Sequence, residues 1–274
     1  QSAERVKADS LAYQFYDELS IKSKIEYRIK ALQYTAAADL KDSSFVMALE
    51  RYERLNSLAQ SNEQQIQAQE GALNAAWALR DTLKADQYAD ALLVHASLRR
   101  EVKQKAIRVK AMVSLGKEAW NLAMMQFERL LKIADGAPKA EAFYYQALIL
   151  QKQAYYDSSN KKINLLIDEL PSYKEWKMKA LYLMAFNFWK LDDIFQANYI
   201  LDFIISSAED QKLVSKAEAL KADIADAEAR ALKQKEELLR KQASPIMLDS
   251  EGGLQLIDFP SEEEPLEEPE IIEK

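Results

Sequence analysis

The 274-residue chain contains one histidine, His95, and no cysteine. A serine or cysteine nucleophile needs a base within hydrogen-bond reach, and a zinc site needs several His or Cys ligands. Neither set can be assembled from a lone imidazole. His95 falls in a column otherwise filled by Tyr52 and Phe127, so it reads as a packed side chain. Asp81, Asp86 and Asp90 form an acidic cluster of the kind a calcium loop would need. They lack its turn glycine and terminal Glu, and read as solvated turn acids. Gly252–Gly253 precedes no helix, so it makes no phosphate-cradling loop. Carboxylate pairs abound on the charged helices, and none stands out as an acid and base. The sequence therefore offers no catalytic residue, no metal ligand set and no cofactor site, and the protein is expected not to be an enzyme.

The elements that would position any site repeat. Ala12, Ala48, Ala91, Ala123, Ser159 and Ala197 recur about every 37 residues, within the range of stacked supersecondary units. Four positions later stand Tyr16, Tyr52, His95, Phe127, Ile163 and Leu201, and three beyond those Leu19, Leu55, Leu98, Leu130, Leu166 and Ile204. Three positions before the small residue come Phe45, Tyr88, Trp120, Tyr156 and Ile194, with Asp9 breaking the column; twelve before it lie Ala36, Leu79, Ala111, Ala147 and Ala185. These offsets place four residues on one helical stripe and a further small residue on a preceding helix. Small residues on both helices let their backbones approach. Such a pair cannot bury its own apolar face and needs neighbours to do so.

On these columns the sequence resembles the tetratricopeptide repeat (TPR) family across about residues 8–210. Leu115–Gly116 and Leu191–Asp192–Asp193 stand at turns, Pro171 closes one repeat, and the match is strongest over 140–205. In this register the second repeat is long, with extra residues around Asp81–Lys84. The resemblance implies an all-α, right-handed TPR-like solenoid of about five helix pairs, with a leading helix and a long C-terminal helix.

The expected organisation is a half repeat over 1–22, a solenoid over 23–210, a capping helix over 211–243 and an acidic disordered tail over 244–274. Low Gly and Pro counts suit the helical part. The leading helix, with Ala12, Tyr16 and Leu19 buried, either caps the stack or continues one begun upstream. Residues 244–274 hold eight Glu, two Asp and one Lys, so the tail carries the acidity and the rest is nearly neutral. Composition of this kind favours disorder, and Leu254–Phe259 is a short apolar patch in it. No basic stripe suits nucleic acid, and no apolar run is long enough to span a bilayer.

In TPR proteins the first helices of successive repeats line a concave groove that takes peptides or partner helices. Carried over by position, that groove would present Glu141, Tyr144, Leu148, Gln151 and Lys152, then Lys179, Tyr182, Phe186, Trp189 and Lys190. Tyr144, Leu148, Lys152, Lys179, Tyr182, Phe186 and Trp189 are the candidate partner-binding set. Earlier helices present the blander Gln33, Ala37 and Leu40. Residues 173–224 also resemble the C-terminal repeat of long TPR proteins of the Bacteroidota cell envelope, through Leu191–Asp192–Asp193 and Phe195–Gln196–Ala197. That implies a non-enzymatic scaffold for an unidentified protein partner in envelope transport or assembly, periplasmic or outer-membrane-associated; a cytoplasmic location is the alternative. The alternative role is a structural subunit docked permanently through its end helices.

Overall fold

The computed structural model describes residues 11–19, 21, 24–242, 246–248 and 254–256. Residues 11–19 form helix α1. Five antiparallel pairs follow: α2 (Ile25–Lys41) with α3 (Phe45–Leu58), α4 (Asn62–Ala78) with α5 (Thr82–Leu93), α6 (Arg100–Gly116) with α7 (Trp120–Leu131), α8 (Gly136–Lys152) with α9 (Tyr156–Glu169), and α10 (Lys174–Lys190) with α11 (Ile194–Ser207). A longer helix, α12 (Gln211–Gln242), comes next, so the helix-pair solenoid expected from the sequence is present. The chain divides into two compact units after Ala217, inside α12 rather than at its start. In the second unit, β1 (Ile246–Leu248) and β2 (Leu254–Leu256) pair antiparallel with Ile246 opposite Leu256. Strand pairing here departs from the disorder expected throughout 244–274. Apolar residues in both segments, Ile246, Met247 and Leu248 against Leu254 and Leu256, favour such pairing. Residues 257–274, which hold most of the acidic run, lie outside the described residues.

A backbone device marks the period more cleanly than any side chain. Ser43, Arg80, Glu118, Ala154 and Asp192 each have φ between +55° and +64°, one in every turn between the two helices of a pair. The next residue donates its N–H five residues back, as in Ser44 to Asp39 and Tyr155 to Leu150, at 2.8–3.0 Å. The left-handed residue itself donates to the carbonyl three back. This is the Schellman arrangement, which satisfies orphan carbonyls and reverses the chain. Each second helix then begins two residues after the left-handed residue. Leu115–Gly116 stands at the turn as expected: Gly116 ends α6 and the Leu115 carbonyl accepts from Glu118, the residue that takes the left-handed conformation.

The turns correct the register of the second repeat. α5 begins at Thr82, so its buried stripe is Ala85, Ala89 and Leu92, all 0% exposed, and not Ala91, His95 and Leu98. The partner on α4 is Leu73, fully buried, whereas Leu79 caps that helix and is exposed. Asp81–Lys84 is no insertion; the extra residues lie in the connection between α5 and α6. Two substitutions hid this. Ala89 occupies the place that Tyr52, Phe127, Ile163 and Leu201 fill elsewhere, and Tyr88 supplies a misleading aromatic six residues late. His95 sits past the end of α5, half-buried, with its Nε2 3.0 Å from Gln69 Oε1.

With the register corrected, Leu55, Leu92, Leu130, Leu166 and Ile204 form one fully buried column through the stack. Burying each stabilises the fold by about 2–3 kcal/mol. Gly71 is buried where α4 crosses the Tyr52 ring, and a methyl there would run into that ring. α1 docks through polar groups: Tyr13 donates to Asp39 at 2.7 Å, and Arg51 bonds Asp39, Tyr13 and, at 2.6 Å, Asp17. Ala12, Tyr16 and Leu19, expected to be buried, are only partly so.

Candidate functional site

First helices of neighbouring repeats approach one another, α2 with α4, α4 with α6 and α8 with α10, whereas second helices are not brought together in this way. The first helices therefore line the inner side of the stack. Cross-links between them run from residue to residue along it. Gln33 donates to Gln67 at 2.7 Å, Lys105 and Arg99 both reach Glu70 at 3.1 Å, and Arg108 grips Glu141 with two bonds of 2.5 and 2.6 Å. Bidentate pairing of this kind fixes orientation as well as charge. Its hydrogen bonds, ahead of the opposing effect of burial, raise the Arg108 pKa above its usual range. Glu141, expected to face a partner, is instead 6% exposed and committed to Arg108. Gln151 is likewise occupied, donating to Asn187 at 2.7 Å and to the Leu183 carbonyl at 3.0 Å.

Between α8 and α10 the rungs become aromatic. Tyr144 contacts both Tyr145 and Trp176, with centroids 5.2 and 5.5 Å apart, and Tyr145 stacks on Phe127 at 5.3 Å. Burial raises the pKa of Tyr144 and Tyr145. Phe186 meets Trp189 edge to face at 5.7 Å. Tyr144, Leu148, Lys179, Tyr182, Phe186 and Trp189 are half-buried and Lys152 is exposed. The structure thus gathers Tyr144 with Trp176 and Lys179 at one level, and Phe186 with Trp189 and Lys190 at another. Trp176 escaped the sequence reading because the stripe was begun at Lys179; it lies three residues earlier on the same helical face.

Two lysines cover the rings. Lys190 Nζ lies 3.9 Å from the Trp189 centroid and 5.3 Å from that of Phe186. Lys179 Nζ is 4.6 Å from the Trp176 centroid and 2.5 Å from Glu175. Ammonium groups over ring faces are held by the ring quadrupole. The surface is therefore apolar with two ammonium groups at its edges, that of Lys179 shared with Glu175.

The aspartates at 81, 86 and 90 are engaged otherwise. Asp81 caps α5 by accepting from the Lys84 N–H at 2.9 Å, and Lys110 Nζ pairs with Asp86 at 3.0 Å and Asp90 at 2.7 Å. Among the described residues no three His, Asp or Glu side chains come together as a metal site, and no helix is long and apolar enough to cross a membrane.

No family model and no curated protein sequence matches the chain. Solved structures do. YrrB, described as a TPR protein with an unusual peptide-binding site, aligns over 69% of this chain and 91% of its own, at TM-score 0.53 and 16% identity. MamA AMB-1 aligns over 69% of this chain and 97% of its own, at TM-score 0.53 and 10% identity. A tetratricopeptide repeat protein from Parabacteroides merdae ATCC 43184 aligns over 81% and 93%, at TM-score 0.50 and 14% identity. At such identities the likeness shows the fold.

Proposed function

Starting from a tetratricopeptide-type solenoid, we propose that this chain is a non-enzymatic scaffold that binds a protein partner on its inner face. The observation that carries the reading is the change of character along that face. From α2 to α8 the cross-links are polar and self-satisfied, while α8 and α10 offer half-buried rings edged by lysines. Aromatic anchors in a partly desolvated setting are where binding energy concentrates. With Lys190 over Phe186 and Trp189 and the Lys179–Glu175 pair beside Trp176, a partner segment with apolar side chains and a carboxylate toward Lys190 fits. Tyr144, Leu148, Lys152, Lys179, Tyr182, Phe186 and Trp189 are the proposed contacts, with Trp176 added. YrrB, a protein of the same fold, carries a peptide-binding site, in line with this use of the architecture.

The setting proposed is a cell-envelope transport or assembly complex, periplasmic or outer-membrane-associated, on the sequence resemblance of residues 173–224. The test is capture of partners from a detergent-solubilised envelope fraction by the native chain and by a Tyr182→Ser, Trp189→Ser variant. A partner kept by the first and lost by the second supports both site and role. Equal retention moves the interface elsewhere.

A second reading, permanent docking in a larger assembly, is favoured by the other end of the stack. There Phe15, Tyr16, Leu19, Tyr27, Lys30 and Tyr34 line a cavity of about 460 Å³ between α1 and α2. Phe15 and Tyr27 are more than half exposed. Retention of the captured partner by the double variant, with loss on Phe15→Ser, Tyr27→Ser, would select that reading.

A further inference from the structure

The outer face of α11 differs from that of every other second helix in the stack. Phe195, Tyr199 and Phe203 lie at four-residue intervals, the first two opposite the buried Ala197–Leu201 column and Phe203, beside buried Ile204, at the edge of that outer face. They are 77%, 67% and 42% exposed. The same three register positions hold Val46, Glu50 and Arg54 on α3; Leu83, Gln87 and Ala91 on α5; Asn121, Met125 and Arg129 on α7; and Asp157, Lys161 and Leu165 on α9. Four helices of one chain thus show what this position carries when it faces water: one apolar side chain among polar or small ones. α11 alone carries three rings, and its fourteen residues hold a single charge, Asp202. Three aligned aromatics on a water-facing helix mark an interaction surface.

We propose that this stripe pairs with the same stripe of a second copy, α11 against α11, antiparallel about a two-fold axis through Tyr199. All three stripe positions are aromatic, so a two-fold axis at Tyr199 sets ring against ring at every level, and the patch complements itself as an isologous interface must. Antiparallel pairing sets Phe195 opposite the second copy's Phe203 and Tyr199 opposite Tyr199. It sets Asp202 opposite Gln196, so the one charge on the helix meets no like charge. Taking about 200 Å² for a free aromatic side chain, the exposed parts amount to roughly 370 Å² per copy. Twice that area is below the roughly 1,200 Å² of a standard stable interface. The dimer is accordingly weak and reversible, and its population depends on chain concentration.

Because the chain has no cysteine, single-cysteine variants of the full chain test the arrangement without background. Under mild oxidation Tyr199→Cys is expected to give a disulfide-linked dimer at least tenfold faster than the control Lys161→Cys. An equimolar mixture of Phe195→Cys and Phe203→Cys is expected to cross-link to each other in preference to themselves. Sedimentation of the native chain should show a concentration-dependent dimer, with Tyr199→Glu monomeric at tenfold higher concentration and unchanged in circular dichroism and thermal midpoint. Cross-linking of Tyr199→Cys no faster than the control overturns the pairing. Preferential 195–195 and 203–203 links overturn the antiparallel arrangement. A monomeric native chain whose Tyr199→Cys variant reacts slowly with maleimide places another part of the same chain over the stripe, and overturns the proposal as well.

Discussion

At the scale of single residues, the turn residue Ala154 and the core residue Gln146 show where this chain departs from its own pattern. Ala154 holds φ +61° in the Schellman turn after α8, a region costing an L-residue other than Gly, Asn or Asp about 1 kcal/mol. Its counterpart Asp192 is a short polar residue that tolerates it better. Ala154→Gly should therefore raise stability by roughly 0.5–1 kcal/mol, the relief of strain exceeding the entropy of the added glycine; a urea midpoint that fell would contradict the assignment. Gln146 is 0% exposed with neither amide nitrogen nor amide oxygen bonded to another protein group. The equivalent place on α10 holds Met184. An unpaired buried amide costs about 1–3 kcal/mol, so Gln146→Met should stabilise by about 1–2 kcal/mol in the same urea titration. An unchanged midpoint would show that water fills both bonds.

At the scale of elements, the helix pairs were readable because burial imposes an i, i+4, i+7 pattern, and the columns of α7, α9 and α11 hold as written. The second repeat was misregistered for a physical reason. Its partner residues trade volume across the interface: Tyr52 is large because Gly71 is small, and Ala89 is small where other repeats place a bulky side chain. A single-column reading cannot see such compensation. This exchange is itself testable. Gly71→Ala improves helix propensity by up to about 1 kcal/mol, yet its methyl collides with a ring that is only 6% exposed. Overpacking should win and destabilise by roughly 1–3 kcal/mol. Combining it with Tyr52→Leu should cost less than the two single changes together, as thermal unfolding of the four-member cycle would show. Full additivity would mean that α4 and α3 do not meet at these residues. The turn signature was illegible in advance because five different residue types, none of them glycine, take the left-handed conformation.

At the scale of the whole molecule, the stack makes a site that no single repeat contains. Trp176 and Lys179 on α10 stand beside Tyr144 on α8, so a segment bound at the proposed site would span both helices. Position within the repeat predicts Tyr144, Tyr182, Phe186 and Trp189 as one set, and the structure has all four half-buried on α8 and α10. What could not be read was which polar positions were already spent, because Arg108 and Glu141 are 33 residues apart and their pairing appears only when α6 and α8 are side by side. The most direct measurement is a titration by calorimetry of a displayed-library peptide selected on the native chain, against native, Trp189→Ser and Leu83→Ser proteins. The account predicts a selected peptide that is both acidic and apolar, binding at least tenfold more weakly to Trp189→Ser and unchanged with Leu83→Ser on the outer face of α5. Equal affinity for native and Trp189→Ser, or selection of basic peptides, would contradict it.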